Sequence, residues 1–151
     1  MKIPTDLKIL EYIFNHYMDD YLTYETTKNR EAKIHVPIDI DHVAKHFDIE
    51  GDLVFGRLYY HLNPKYQHDN SDGITNYLFN LSVGRDRHCI NFPMLSSIVA
   101  DLSNEHSRFK LSLNVAILAA IVSIFSLGVA IKSELLNSTN QIVEVIDEQR
   151  K

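Results

Sequence analysis

The sequence predicts an α+β protein: a small domain of three helices and a β-hairpin, followed by a long helix that runs into a single transmembrane helix. Three observations predict it. Leu111–Ile131, LSLNVAILAAIVSIFSLGVAI, is 21 residues long and carries no charge. Ahead of it, apolar residues recur at helical spacing in three segments and then alternate in two short ones. Between Pro93 and the apolar run there is no glycine or proline to end a helix.

The apolar run is the most decisive stretch. Twelve of its residues are Leu, Ile, Val or Phe and four are Ala. At about 1.5 Å per residue it makes a helix of roughly 30 Å, the thickness of a bilayer core. Lys110 and Lys132 bracket it as interfacial anchors. A helix buried in a soluble core is the competing reading, but such helices rarely stay uncharged on every face for this length.

The remaining elements follow in chain order. Thr5 or Asp6 caps a first helix, with Leu7, Leu10, Ile13, Phe14, Tyr17 and Met18 on its buried face, extending to about Tyr21–Tyr24. Glu25–Lys33 is polar, a loop or an extra helical turn. Ile34–Ile38 alternates, and Pro37 restricts it to a strand end or an edge. Asp39 or Asp41 caps a second helix, Asp41–Phe47, with Val43 and Phe47 inward. After a turn at Asp48–Gly51 a third helix covers Asp52–Leu62, with Val54, Leu58 and Leu62 on one stripe. Asn63-Pro64 is expected to end it. Lys65–Gly73 is expected to be a loop.

Thr75–Val83 reads as a strand with Tyr77, Phe79, Leu81 and Val83 on one face. Arg87–Phe92 is its return, with His88, Ile90 and Phe92 on one face and Gly84-Arg85-Asp86 as the turn. Pro93 opens a fourth helix as an N1 residue. Its buried stripe is Leu95, Ile98, Val99, Leu102 and Phe109. The expected segments are 1–92 for the domain, 93–110 for the connecting amphipathic helix, 111–131 for the span and 132–151 for a short helical tail.

This order of elements resembles the winged-helix variant of the helix-turn-helix domain. The residues that carry the likeness are IHVPIDIDHVAKHF, DLVFGRLYYHLN and NYLFNLSVGRDRHCINF. The resemblance implies that helix three is the recognition helix and the hairpin the wing. Arg57, Tyr60 and His61 would then be its exposed contacts, with Arg85 and Arg87 at the wing tip. A DNA-binding winged helix often places a wing arginine in the minor groove.

Charge points the other way. Residues 1–110 carry 12 Lys+Arg and 16 Asp+Glu, a net of −4. Helix three has one Arg and no Lys, Asp52 lies at its front, and Asp86 sits between the wing arginines. A duplex binder commonly shows a basic stripe. The sequence therefore favours a protein-interaction or regulatory module over a membrane-anchored DNA-binding transcription regulator. Fold alone does not decide between them.

No catalytic constellation stands out, and the chain reads as non-enzymatic, with no cofactor and no metal. His42 and His46 have the i, i+4 spacing of a metal pair, but no glutamate follows the first in the H-E-x-x-H manner, and a third ligand is not evident beyond Asp39. His88 and Cys89 are adjacent on a strand and point to opposite faces. Cys89 is the only cysteine, which excludes an internal disulfide and fits a reducing compartment.

Within the span, Ser112, Ala116, Ala119, Ser123, Ser126 and Ala130 recur at steps of 4, 3, 4, 3 and 4. Small residues let membrane helices approach closely, and a 3.5-residue rhythm favours left-handed pairing. The expected partners are the lipid bilayer, a second copy of the chain and a further protein. In the tail, Ile131, Leu135, Ser138, Ile142, Val145 and Gln149 continue the same steps. The N-terminus shows no signal-peptide apolar region, and flanking basic residues are nearly balanced across the span. With the lone thiol and a folded domain ahead of the span, this places the N-terminal domain in the cytoplasm and the tail on the opposite side.

Overall fold

The computed structural model describes residues 3–69 and 73–148, with the side chains of 129 and 134–148 outside the description. The chain divides into two compact units, Met1–Glu105 and His106–Lys151. The first holds a hydrophobic core beneath a small sheet. The second belongs to one helix.

The first helix is shorter than its periodicity predicts. It is α1, Asp6–His16, followed by α2, Met18–Leu22, and α3, Tyr24–Thr27. Thr5 is the N-cap of α1 and accepts a hydrogen bond from the Lys8 amide. The helix breaks at Tyr17, which is buried and whose hydroxyl accepts from the Asp39 amide at 2.8 Å. The second break falls at Thr23, whose amide and hydroxyl both donate to the Asp19 carbonyl, at 2.9 and 2.8 Å. Lys28 then turns left-handed, with φ of 42°.

The polar connector that follows is anchored by Arg30, which is buried. Its guanidinium donates to the carbonyls of Asp20, Ala32 and Lys33 at 2.9, 3.2 and 3.0 Å and lies over the Tyr24 ring. Such a side chain reads as a surface residue in the sequence. Here it stitches the helical segments to the approach of β1.

Strand β1, His35–Pro37, is an edge strand that ends on its proline. Asp39 caps α4, Ile40–His46, accepting from the His42 amide. Val43 is fully buried and Phe47 half-buried at the helix end. Helix three begins as α5, Gly51–Gly56, and continues as a π-helical turn, Arg57–Leu62. Val54, Leu58 and Leu62 are fully buried, as their stripe requires. Asn63-Pro64 does not end the helix, which runs on as α6, Asn63–Tyr66. A proline in a helix crowds the carbonyl four residues back and offers it no N–H. The wide turn, in which the Asn63 amide reaches the Leu58 carbonyl, accommodates that mismatch.

The expected loop over Lys65–Gly73 instead contains β2, His68–Asp69, paired antiparallel with β3, Thr75–Asn76. Residues 70–72 of that loop lie outside the description. The expected single strand Thr75–Val83 is therefore split. β4 is Phe79–Val83, and Leu78 and Phe79 are both buried while Tyr77 and Leu81 are exposed. The alternation fails because Thr75 and Asn76 are held by β2 and Phe79 is held by Asn63.

β5, Asp86–Asn91, pairs with both β4 and β1, giving the sheet order β1-β5-β4. Val83 pairs with Asp86, so the turn is the two residues Gly84-Arg85, with Gly84 at φ of 58°. The predicted face of His88, Ile90 and Phe92 is broken at His88. Its φ is 53°, and Cys89 and Ile90 are both buried beyond it.

Asn91 caps the last helix, α7, by accepting from the Met94 amide, and α7 runs over Phe92–Glu148. Leu95 and Ile98 are buried in the first unit, and Val99 and Leu102 pack against the core. Phe109 is not buried: it is 67% exposed and belongs to the second unit. Within the second unit no described side chain of 111–131 is buried. This helix is long and apolar enough to cross a membrane, with a mean hydropathy of 2.4 over its most apolar stretch.

Candidate interaction surface

Three of the five candidate contact residues of the domain, Arg57, His61 and Arg85, are set against a carboxylate, and Tyr60 and Arg87 are exposed. Arg57 and His61, one turn apart on the π-helical segment, both face Asp6 in the first turn of α1. The Arg57 guanidinium pairs with one carboxylate oxygen of Asp6, and the His61 Nε2 lies 3.4 Å from the other. Tyr60, between them in sequence, is 73% exposed.

The hairpin tip is held from the side. The Arg85 Nε donates to Glu31 at 3.0 Å, and the Glu31 amide donates to the Asp86 carboxylate at 2.7 Å. This hydrogen-bonded pairing with Glu31 raises the Arg85 pKa further. The tip lies so close to Glu31 that a Cβ on Gly84 would come within 2.7 Å of its Cγ. Arg87 is exposed on β5.

Between helix three and the edge strand β4 lies a cavity of about 510 Å³. Tyr59, Tyr60, Gln67, Tyr77, Asn80 and Leu81 are among the residues around it. At its base the Asn63 carboxamide bonds the Phe79 backbone twice. Its Nδ2 donates to the Phe79 carbonyl at 2.6 Å and its Oδ1 accepts from the Phe79 amide at 2.7 Å. Phe55 stacks on Tyr59 and meets Phe79 and His88 edge-on, which fixes the wall. Among the described residues, every side chain lining the cavity is uncharged. Sequence reasoning reached Tyr60 but missed Tyr59, Asn63, Tyr77 and Leu81. By sequence Asn63 with Pro64 is a helix stop, and Tyr77 and Leu81 share one strand face with Phe79 and Val83.

The remaining chemistry-bearing residues have other surroundings. His42 and His46 stack around Tyr12 together with His16. The Tyr12 hydroxyl lies 3.0 Å from the His42 Nε2, and the Tyr12 and His46 ring centroids are 3.8 Å apart. Among the described residues no group of three or more His, Cys, Asp or Glu is arranged to hold a metal. Cys89 is fully buried, and burial pushes its thiol pKa up, so its reactive thiolate is disfavoured. His88 stacks on Phe79.

On the second unit Ser112, Ala116, Ala119, Ser123, Ser126 and Ala130 are all exposed. Two of the hydroxyls are already bonded within the helix: Ser123 donates to the Ala119 carbonyl at 2.8 Å and Ser126 to the Val122 carbonyl at 2.9 Å. These hydroxyls have partners without a second helix, so what the stripe offers a neighbour is its small size. Gln149, the last position of the tail pattern, lies outside the described residues, as do the side chains of Leu135, Ser138, Ile142 and Val145.

No family model, no curated protein and no solved structure matches the chain.

Proposed function

We propose that the chain is a non-enzymatic, single-pass membrane protein whose N-terminal domain is a protein-interaction or regulatory module and which self-associates through its span. The domain is cytoplasmic and the C-terminal tail lies on the opposite side. The order of helices and the sheet order β1-β5-β4 support a winged-helix reading of the domain, with helix three and the β4–β5 hairpin as its recognition helix and wing.

The observation that carries the interaction reading is the pairing of arginines beside an uncharged cavity. Two of the three arginines a duplex would need, Arg57 and Arg85, face Asp6 and Glu31. The concave surface next to helix three is instead lined by tyrosines and amides. Aromatic side chains of this kind are enriched at protein interfaces. Association through the span would place two domains side by side and raise their effective concentration for a shared partner.

The alternative is a membrane-anchored transcription regulator reading DNA through Arg57, Tyr60, His61, Arg85 and Arg87. Titrating the full chain, held in neutral-lipid nanodiscs, against mixed-sequence duplex DNA separates the two. No binding at low salt is the expected result. Binding that falls steeply with salt and is lost on Arg85→Ala with Arg87→Ala would replace the interaction reading with the DNA reading.

A further inference from the structure

We infer that the cavity beside β4 is a strand-addition site, taking an extended, uncharged peptide segment of a partner protein between the β4 edge and helix three. The inference deepens the interaction reading and rests on it. It names the class of partner and the way that partner is held.

Among the described residues, the sheet order leaves β4 with a neighbour on one side only. An unpaired strand edge presents backbone N–H and C=O groups to any chain that can lie beside it. At one point that edge is already occupied. The Asn63 carboxamide bonds both the amide and the carbonyl of Phe79, as the peptide group of an adjacent strand would. It does so at the end of the edge nearest helix three. From Asn80 to Ser82 the edge runs along the cavity, with no strand beside it among the described residues.

Helix three forms the opposite wall, so the site is a slot between a strand edge and a helix. This is the arrangement in which an extended peptide gains main-chain bonds from the strand and specificity from a side-chain pocket. A cavity of about 510 Å³ has room for one or two side chains of such a peptide. Its chemistry selects them. Tyr59, Tyr60 and Tyr77 give aromatic faces, Leu81 gives an aliphatic one, and Asn80 and Gln67 give neutral hydrogen-bonding groups. With no charged side chain among the described residues of the wall, a lysine or glutamate entering the slot would lose hydration without gaining an ion pair from them. The matching segment therefore carries aliphatic, prolyl or aromatic residues at the inward positions.

The hairpin tip supports the edge. Arg85 and Asp86 are both tied to Glu31, and β5 is paired on both sides, so β4 is presented from a fixed frame.

The test uses the full chain in neutral-lipid nanodiscs and a positional-scanning set of terminally blocked, uncharged, fluorescent hexapeptides, read by polarisation. Members with an apolar residue at alternate positions are expected to bind. Leu81→Asp, at an exposed position, is expected to weaken them about tenfold or more, and so is N-methylation at one of two successive peptide amides, the one that faces the β4 edge, the equivalent of losing one hydrogen bond. Tyr60→Ser, also exposed, is expected to change which residue is preferred. Binding as tight as the parent's whichever of two successive amides is methylated overturns strand addition while leaving the interaction reading in place. Binding by no member up to about 1 mM, where the free energy of association is only about 4 kcal/mol, overturns the site. The DNA titration reports on the interaction reading separately.

Discussion

The side chain of Asn63 occupies the place of a strand beside Phe79, bonding its amide at 2.7 Å and its carbonyl at 2.6 Å. The pairing joins helix three to the hairpin at a buried point, and it explains why the chain breaks the alternation of Tyr77, Phe79 and Leu81. Asn63→Ala removes both bonds and leaves two buried backbone groups unpaired. The expected loss is about 3 kcal/mol. Urea denaturation of the full chain in micelles measures it, and a loss below about 0.5 kcal/mol, the lower end for a single net hydrogen bond, contradicts the role given to Asn63.

Gly84 carries the second local constraint. Its φ of 58° and the closeness of Glu31 leave no room for a Cβ. Gly84→Ala is expected to destabilise the domain by about 1–2 kcal/mol through the left-handed backbone alone. The hairpin tip should also loosen from Glu31, seen as faster amide exchange at Arg85 and Glu31. Unchanged exchange and stability would mean the tip is not held there in solution.

How much of this was legible in the sequence differs by element. Val54, Leu58 and Leu62 announced a buried helix face because one face of a regular helix needs only spacing. The place of the hairpin turn was legible for the same local reason, though Asp86 belongs to β5 rather than to the turn, and so were the caps to within one of two candidates, of which Thr5 and Asp39 are the ones used. What failed was set by distant contacts. Helix three survives Asn63-Pro64 because a π-turn precedes it, and β4 starts late because an asparagine 16 residues earlier captures Phe79. The cavity was missed because its walls come from segments whose pairing no local pattern encodes. Arg57 and Arg85 were legible as candidate contacts, but Asp6 and Glu31, more than 50 residues away in sequence, were not.

His35 gives the domain a pH dependence of known sign. Burial holds its pKa below the ordinary value of 6.5, so the unfolded chain takes up its proton first as the pH falls. The stabilisation is complete above 6.5 and is lost as the pH drops through the lowered folded-state value. His35→Gln is expected to flatten the decline of melting temperature below pH 6.5 relative to the parent chain. A parallel decline in both would exclude His35 as a contributor.

In the span the hydroxyls of Ser123 and Ser126 are bonded to their own helix. Association that depends on small size should then tolerate Ser123→Ala. Ala119→Ile combined with Ser123→Ile should abolish it, because the branched side chains keep the backbones apart. Energy transfer between labelled chains in a bilayer measures both. Loss of association in the alanine variant would instead assign the stripe to hydrogen bonds across the helix pair.

The measurement that bears most directly on the central claim is alkaline carbonate extraction of membranes from cells producing the full chain, beside a variant lacking 111–131. A helix whose uncharged run has no buried side chain among the described ones of its own unit is expected to hold the full chain in the membrane pellet after extraction and release the deletion variant. Release of the full chain into the supernatant would contradict a membrane-spanning protein and, with it, the tethered module proposed for this chain.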